Sequence, residues 1–189
     1  MSVRSLSSDT PVRGALLSDH PHPRPVLRRI TAVMIALGLA GIVLGVIGLL
    51  ALTVLYELPL LPLAALSLLA LAPPLLLLAV LHPPVSVYEN GLWIKPLLGR
   101  ECWLAWEAIT RVEDHTLIQR GTTKAGQREH LGQLIVVDRG LAWPFLVVGI
   151  MGGLGRVRAF GISTHSHADY AALHSAITHR RPPVIRSEK

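Results

Sequence analysis

From Ile30 to Leu81 the chain carries no Lys, Arg, Asp or His, and its only ionisable side chains are those of Glu57 and the far weaker acid Tyr56. Each half of this stretch exceeds the roughly 20 apolar residues that an α-helix needs to cross about 30 Å of hydrocarbon. The pattern predicts two transmembrane helices joined by a tight turn at Tyr56–Glu57. A secretory signal has an apolar core of only about 7–15 residues. This run is longer, and a second one follows at once, so a twice-spanning hairpin over residues 30–82 is expected.

The hairpin divides the remainder. Residues 1–29 mix Ser, Pro, His and Arg without periodicity, and the prolines of Ser18–Pro25 exclude a helix there. A disordered basic tail is expected, in which His20 and His22 are ordinary polar residues rather than metal ligands. Arg24, Arg28 and Arg29 directly precede the first span, the turn carries no Lys or Arg, and Lys95 and Arg100 follow the second span. The positive-inside rule then puts both termini in the cytoplasm. The formal net charge is +6, but no segment has the dense basic run of a nucleic-acid binder. The single cysteine, Cys102, excludes an internal disulfide and CxxC metal sites.

Gly38, Gly41, Gly45 and Gly48 recur at spacings of three and four, which lets another backbone approach. Two readings stand: packing against the second helix of the same hairpin, or docking of a second copy or a partner membrane protein. Pro73–Pro74 predicts a kink in the second helix.

After His82-Pro83-Pro84 the pattern becomes β. Val85–Tyr88, Leu92–Pro96, Glu101–Trp106, the stretch from Ile109 to Arg120, Leu131–Asp138 and Val157–Ile162 all suit strands, with a polar turn at Gly121–Glu129. Asn90-Gly91 marks a hairpin turn. Ser166 and Asp169 suggest a capping box. They precede a helix whose stripe is Tyr170, Leu173 and Ile177, which ends in His179–Arg181 and stops at Pro182–Pro183. A flexible tail, residues 182–189, follows.

Three segments then carry a resemblance: "VYENGLWIKP" with Tyr88, Gly91 and Leu92; "W-x-x-I-x-x-V" with Trp106, Ile109 and Val112; and "DYAALHSAI" with Tyr170 and Leu173. In this order behind a hairpin, they resemble the bacterial pleckstrin-homology-like family. The resemblance implies a membrane-anchored α+β protein in the plasma (inner) membrane. Its module, residues 85–181, would be a barrel or sandwich of about seven strands capped by a C-terminal helix. It implies no catalytic residues.

Leu141–Gly155, "LAWPFLVVGIMGGLG", departs from that pattern. Either Phe145–Ile150 is a buried strand before a Gly-rich turn, or the segment is an apolar loop that enters the bilayer surface. In the second case Trp143, Phe145, Leu146 and Ile150 are the interfacial residues.

Chemistry is sparse. His165, His167 and His174 with Asp169 are the one set with metal-ligand types, and they read better as solvated residues around a helix start. Cys102 reads as a small buried hydrophobe. Gly152–Gly155 lacks the Gly-Lys-Ser/Thr of a phosphate loop. With no acid–base pair, nucleophile constellation or metal set, neither an enzyme nor a cofactor is expected. The expected function is a cytoplasmic module for protein interaction or assembly, with membrane lipids and a protein partner or a second copy as its partners. One alternative is a module responsive to anionic lipid through Lys95, Arg100, Arg156 and Arg158. The other is an accessory subunit of a transporter or channel.

Overall fold

The structure, a computed structural model, describes residues 13–113 and 132–180. The expected strand beyond Glu113, the Gly121–Glu129 turn and the 182–189 tail lie outside the described residues.

Helix α1 runs from Pro25 to Tyr56, with Pro at its start where the missing N–H costs nothing. It ends at Glu57, whose φ of 52° is left-handed. The chain returns through α2, Leu61–Leu69, and α3, Ala72–Val80. Pro73 and Pro74 have no N–H to give the carbonyls of Leu69 and Ala70, so the returning helix breaks where the sequence predicts. At the break, Ala70 N–H bonds to Leu66 O and Leu71 N–H to Leu68 O, both at 3.1 Å. Pro25–Tyr56 and Leu61–Val80 are thus two helices long and apolar enough to cross a membrane. Their most apolar windows are only 11% and 17% buried. The core helix of a soluble fold would show the reverse.

Ile35, Gly38, Ile42 and Gly45 form the seam of α1 toward α2 and α3. A Cβ on Gly38 would sit 3.2 Å from Leu75 Cδ1, and one on Gly45 would sit 2.6 Å from Leu68 Cδ2. Gly41 and Gly48 face open space. Two of the four glycines therefore meet the returning helices, and two do not.

The tail departs from the expectation of disorder. Leu16–His20 forms strand β1, which pairs antiparallel with β2, Val85–Tyr88, on the far side of the hairpin. Strands β3, Gly91–Ile94, and β4, Cys102–Ala105, complete a four-stranded sheet of order β1-β2-β3-β4. A 3-10 turn at Trp106–Ala108 leads to the second sheet. It contains β5, Ile109–Glu113, β6, Gly132–Val137, and β7, Arg158–Ser163, in the order β5-β6-β7. Among the described residues the two sheets do not join into a closed barrel. Seven strands are present among the described residues; β1 is one of them, and Phe145–Ile150, where the sequence allows a strand as one of two readings, is not.

That segment is helical. A 3-10 turn, Trp143–Phe145, opens into helix α4, Leu146–Met151. Pro144 suits a helix start. The positive φ values of Gly153, 72°, and Gly155, 83°, need glycine to turn the chain away. Helix α4 packs on β7 and touches α3. This second cover explains why β6 and β7 are buried on both faces and read as continuous apolar runs.

Helix α5, Tyr170–Arg180, closes the module with Leu173 and Ile177 fully buried, as their spacing predicts. The capping box does not form. Ser166 accepts from the Ser163 hydroxyl at 3.1 Å, Asp169 adopts a φ of 54°, and the helix starts after it.

The inward faces of β2, β3 and β4 supply Val85, Val87, Leu92, Ile94 and Leu104 to the core, which runs on through Ala79, Val80 and Leu81 into α3. Arg28 Nη2 of α1 donates to the carbonyls of Lys95, at 2.8 Å, and Pro96, at 3.3 Å. Leu97 N–H donates to Ala79 O at 3.1 Å and Gly161 N–H to Leu81 O at 2.5 Å. The hairpin base and the module share one packed joint.

Candidate functional site

Strand alternation fixes what sheet β1-β2-β3-β4 shows outward. Leu92 and Ile94 point in, so Trp93 points out. Cys102 and Leu104 point in, so Trp103 points out. The register sets Trp93 directly opposite Trp103. Their ring centroids are 6.2 Å apart, and Tyr88 meets Trp103 edge-on at 5.6 Å. Arg13 stacks 3.9 Å from the Trp93 ring centroid, and Trp93 Nε1 donates to Glu101 Oε2 at 2.7 Å. All three rings are half-buried. Trp, Tyr and Arg dominate the energetics of protein interfaces. Only Tyr88 carries the family resemblance, and the set was not predicted. The available signal was the outward phase of Trp93 and Trp103 on strands joined by a short turn.

The residues assigned to anionic lipid divide into two pairs. Arg156 and Arg158 line a groove of about 320 Å³ beside α4, with Trp143, Leu146 and Asp138 also on its wall. Lys95 and Arg100 lie on the β3–β4 connection of the other sheet. The proposed interfacial set also divides. Trp143 and Ile150 are 66% and 54% exposed and Leu146 is half-buried, while Phe145 is 1% exposed and belongs to the core.

Five histidines converge on the joint. His20 is buried, with Nδ1 against Ala168 O and Nε2 against the Ser18 hydroxyl, each at 2.9 Å. His167 Nδ1 accepts from Ser163 N–H at 3.3 Å, so its Nε2 carries the proton that it donates to Pro83 O at 2.8 Å. Its pKa is lowered, first by burial and then by His20 and His22. His22 Nδ1 accepts from Arg24 N–H at 3.0 Å, and burial lowers its pKa too. His82 stands against Gly161, and its Nε2 is buried with no hydrogen-bond partner among the described residues. Burial, followed by the charges of His167, His22 and His165, pushes its pKa down to about 4.

The suggested metal set is not assembled. His167 is committed to backbone groups, whereas His174 stacks on Tyr170 at 5.8 Å. Among the described residues no group of three or more His, Cys, Asp or Glu is placed to hold a metal ion. Cys102 is buried, with its thiol 3.5 Å from Arg100 O.

Comparison with family models, curated proteins and solved structures returns no match.

Proposed function

We propose that this chain is a non-enzymatic integral protein of a bacterial plasma (inner) membrane. It spans twice, keeps both termini in the cytoplasm, and presents a pleckstrin-homology-like module for protein interaction or assembly. The order of four strands, three strands and a closing helix supports that fold reading. The exposed apolar faces of both long helices and the arginines at the start of α1 support the location. The observation that carries the interaction reading is the outward Tyr88–Trp103–Trp93 ladder with Arg13 stacked on it. Tethering raises the local concentration of such a face at the bilayer, so modest contacts suffice.

A photo-crosslinking residue in place of Glu101, in native membranes, tests the reading. A discrete protein adduct that disappears in Trp103→Ala supports it. Lipid adducts alone, or none, overturn it.

A second reading rests on α4. Exposed Trp143 lines the Arg156–Arg158 groove, and exposed Ile150 lies on α4; both α4 and the turn before it touch α3. That arrangement suits an anionic membrane surface, with Trp at headgroup depth.

A further inference from the structure

We infer that the cavity at the hairpin base, between the start of α1, the end of α3 and the β7–α5 turn, is a phosphate site with Arg28, His22 and Ser166 as its donors. The cavity holds about 150 Å³, well above the roughly 10–15 Å³ that one water needs. His22, Arg28, His82 and Ser166 face it, while Leu27 and Leu78 from the two ends of the hairpin make its apolar wall.

Three of its polar side chains offer donors. Arg28 is pinned through Nη2 to two carbonyls. That contact preorganises the guanidinium and leaves its Nε and Nη1 protons for an oxyanion. His22 accepts through Nδ1, so Nε2 carries a proton to donate. Ser166 accepts from Ser163, so its own hydroxyl proton is free to donate. No carboxylate among the described residues lines the cavity, and neither Asp19 nor Asp169 reaches its wall. Asp19 instead accepts from the Ser86 hydroxyl at 2.6 Å.

The charge balance points the same way. Arg24, Arg28 and His165 act on His22. His167, His22 and His165 act on His82. Burial is the first cause that lowers both pKa values, and these basic neighbours add to it; among the described residues no carboxylate lines the cavity as a counter-ion to Arg28. A phosphate in the cavity supplies that counter-ion, and its arrival raises the proton affinity of His22 and His82.

The phosphate has two possible sources, inorganic phosphate or the head of a phospholipid whose chains lie along Leu27 and Leu78. Neither the site nor its test involves the aromatic face, so the two proposals fail separately.

The test uses the full chain in a maltoside micelle, which carries no phosphate. Inorganic phosphate is titrated against chloride at equal ionic strength, and phosphatidylglycerol is added in a parallel arm, with thermal unfolding as the readout. Native mass spectrometry reads any retained lipid. A saturable rise in melting temperature is expected with phosphate or with phosphatidylglycerol, and the arm that responds at lower concentration identifies the source. The double variant His22→Ala/Ser166→Ala leaves the Arg28 carbonyl contacts in place and should weaken the response at least tenfold. Arg28→Gln should abolish it, but that change can also loosen the joint, so the double variant decides. Equal responses to chloride and phosphate, no response in either arm, or a double variant that binds like the parent would overturn the site.

Discussion

His20 lies opposite Val85 in the β1–β2 ladder, although the entire apolar hairpin separates them in the chain. The hairpin is therefore an insertion between two neighbouring strands, not a stalk leading to a finished domain. The imidazole of His20 is the one buried side chain of β1. His20→Ala should leave Ala168 O without its partner and destabilise the fold by about 1–3 kcal/mol. Faster hydrogen exchange at the β2 amides of the full chain is the readout. A fragment starting at Val85 should expose the bare β2 edge and associate with itself. A peptide of residues 13–21 should suppress that association.

Glycine substitutions separate packing from open surface. A Cβ on Gly149 would run into the Val157 carbonyl oxygen, a backbone atom that cannot rotate away. Gly149→Ala should push α4 off β7 and cost about 1–3 kcal/mol, as overpacking does. Gly41→Ala and Gly48→Ala should hold or slightly raise the melting temperature, since nothing stands within 4 Å of either position and Ala favours a helix over Gly. If they disrupt a copurifying assembly without lowering the melt, the open face of α1 is a docking seam.

Acid should loosen the joint, and His82 sets the window. Its pKa falls from 6.5 to about 4 in the fold. Between those values the unfolded form binds the proton and the folded form does not, so stability is full above pH 6.5 and falls as the pH drops toward 4. At 1.36 kcal/mol per pH unit, the loss is about 3 kcal/mol. Melting of the full chain across this range should show the slope, and His82→Gln should flatten it.

The two arginine pairs should behave differently toward anionic vesicles or nanodiscs. In the lipid reading, Arg156→Glu with Arg158→Glu reverses the charge of the groove beside α4 and should shift Trp143 away from the headgroups. Depth-dependent quenching of Trp143 in a variant lacking the other tryptophans measures that shift. Lys95→Glu with Arg100→Glu, on the other sheet, should leave the quenching unchanged.

The parts of the fold legible in the sequence are those whose cause is local. The apolar run, the turn at Glu57, the proline break and the Leu173–Ile177 stripe each follow from residues within a few positions. β1 was not legible because it has no apolar alternation: its only buried residue is a histidine, and its partner strand is distant in sequence. Helix α4 was ambiguous because a six-residue apolar run has the same hydrophobicity whether strand or helix. Pro144 was the clue to the helix. The glycines shared a face on the 3.6-residue wheel, but the seam uses only Gly38 and Gly45. The arginines could be listed but not grouped, since their grouping depends on which sheet each element joins. The aromatic ladder needed the β3–β4 register, and the joint cavity needed Arg28 beside His22 and Ser166.

The placement of β1 ahead of the hairpin also constrains how the protein is made. Strand β1 leaves the ribosome long before its partner and has nothing to pair with until both helices have been made. In the proposed two-span topology, a second helix that fails to return across the bilayer would strand β1 and β2 in different compartments, and the sheet could not close. Completion of the β1–β2 pair would then report correct insertion, and a misinserted chain would carry an open strand edge.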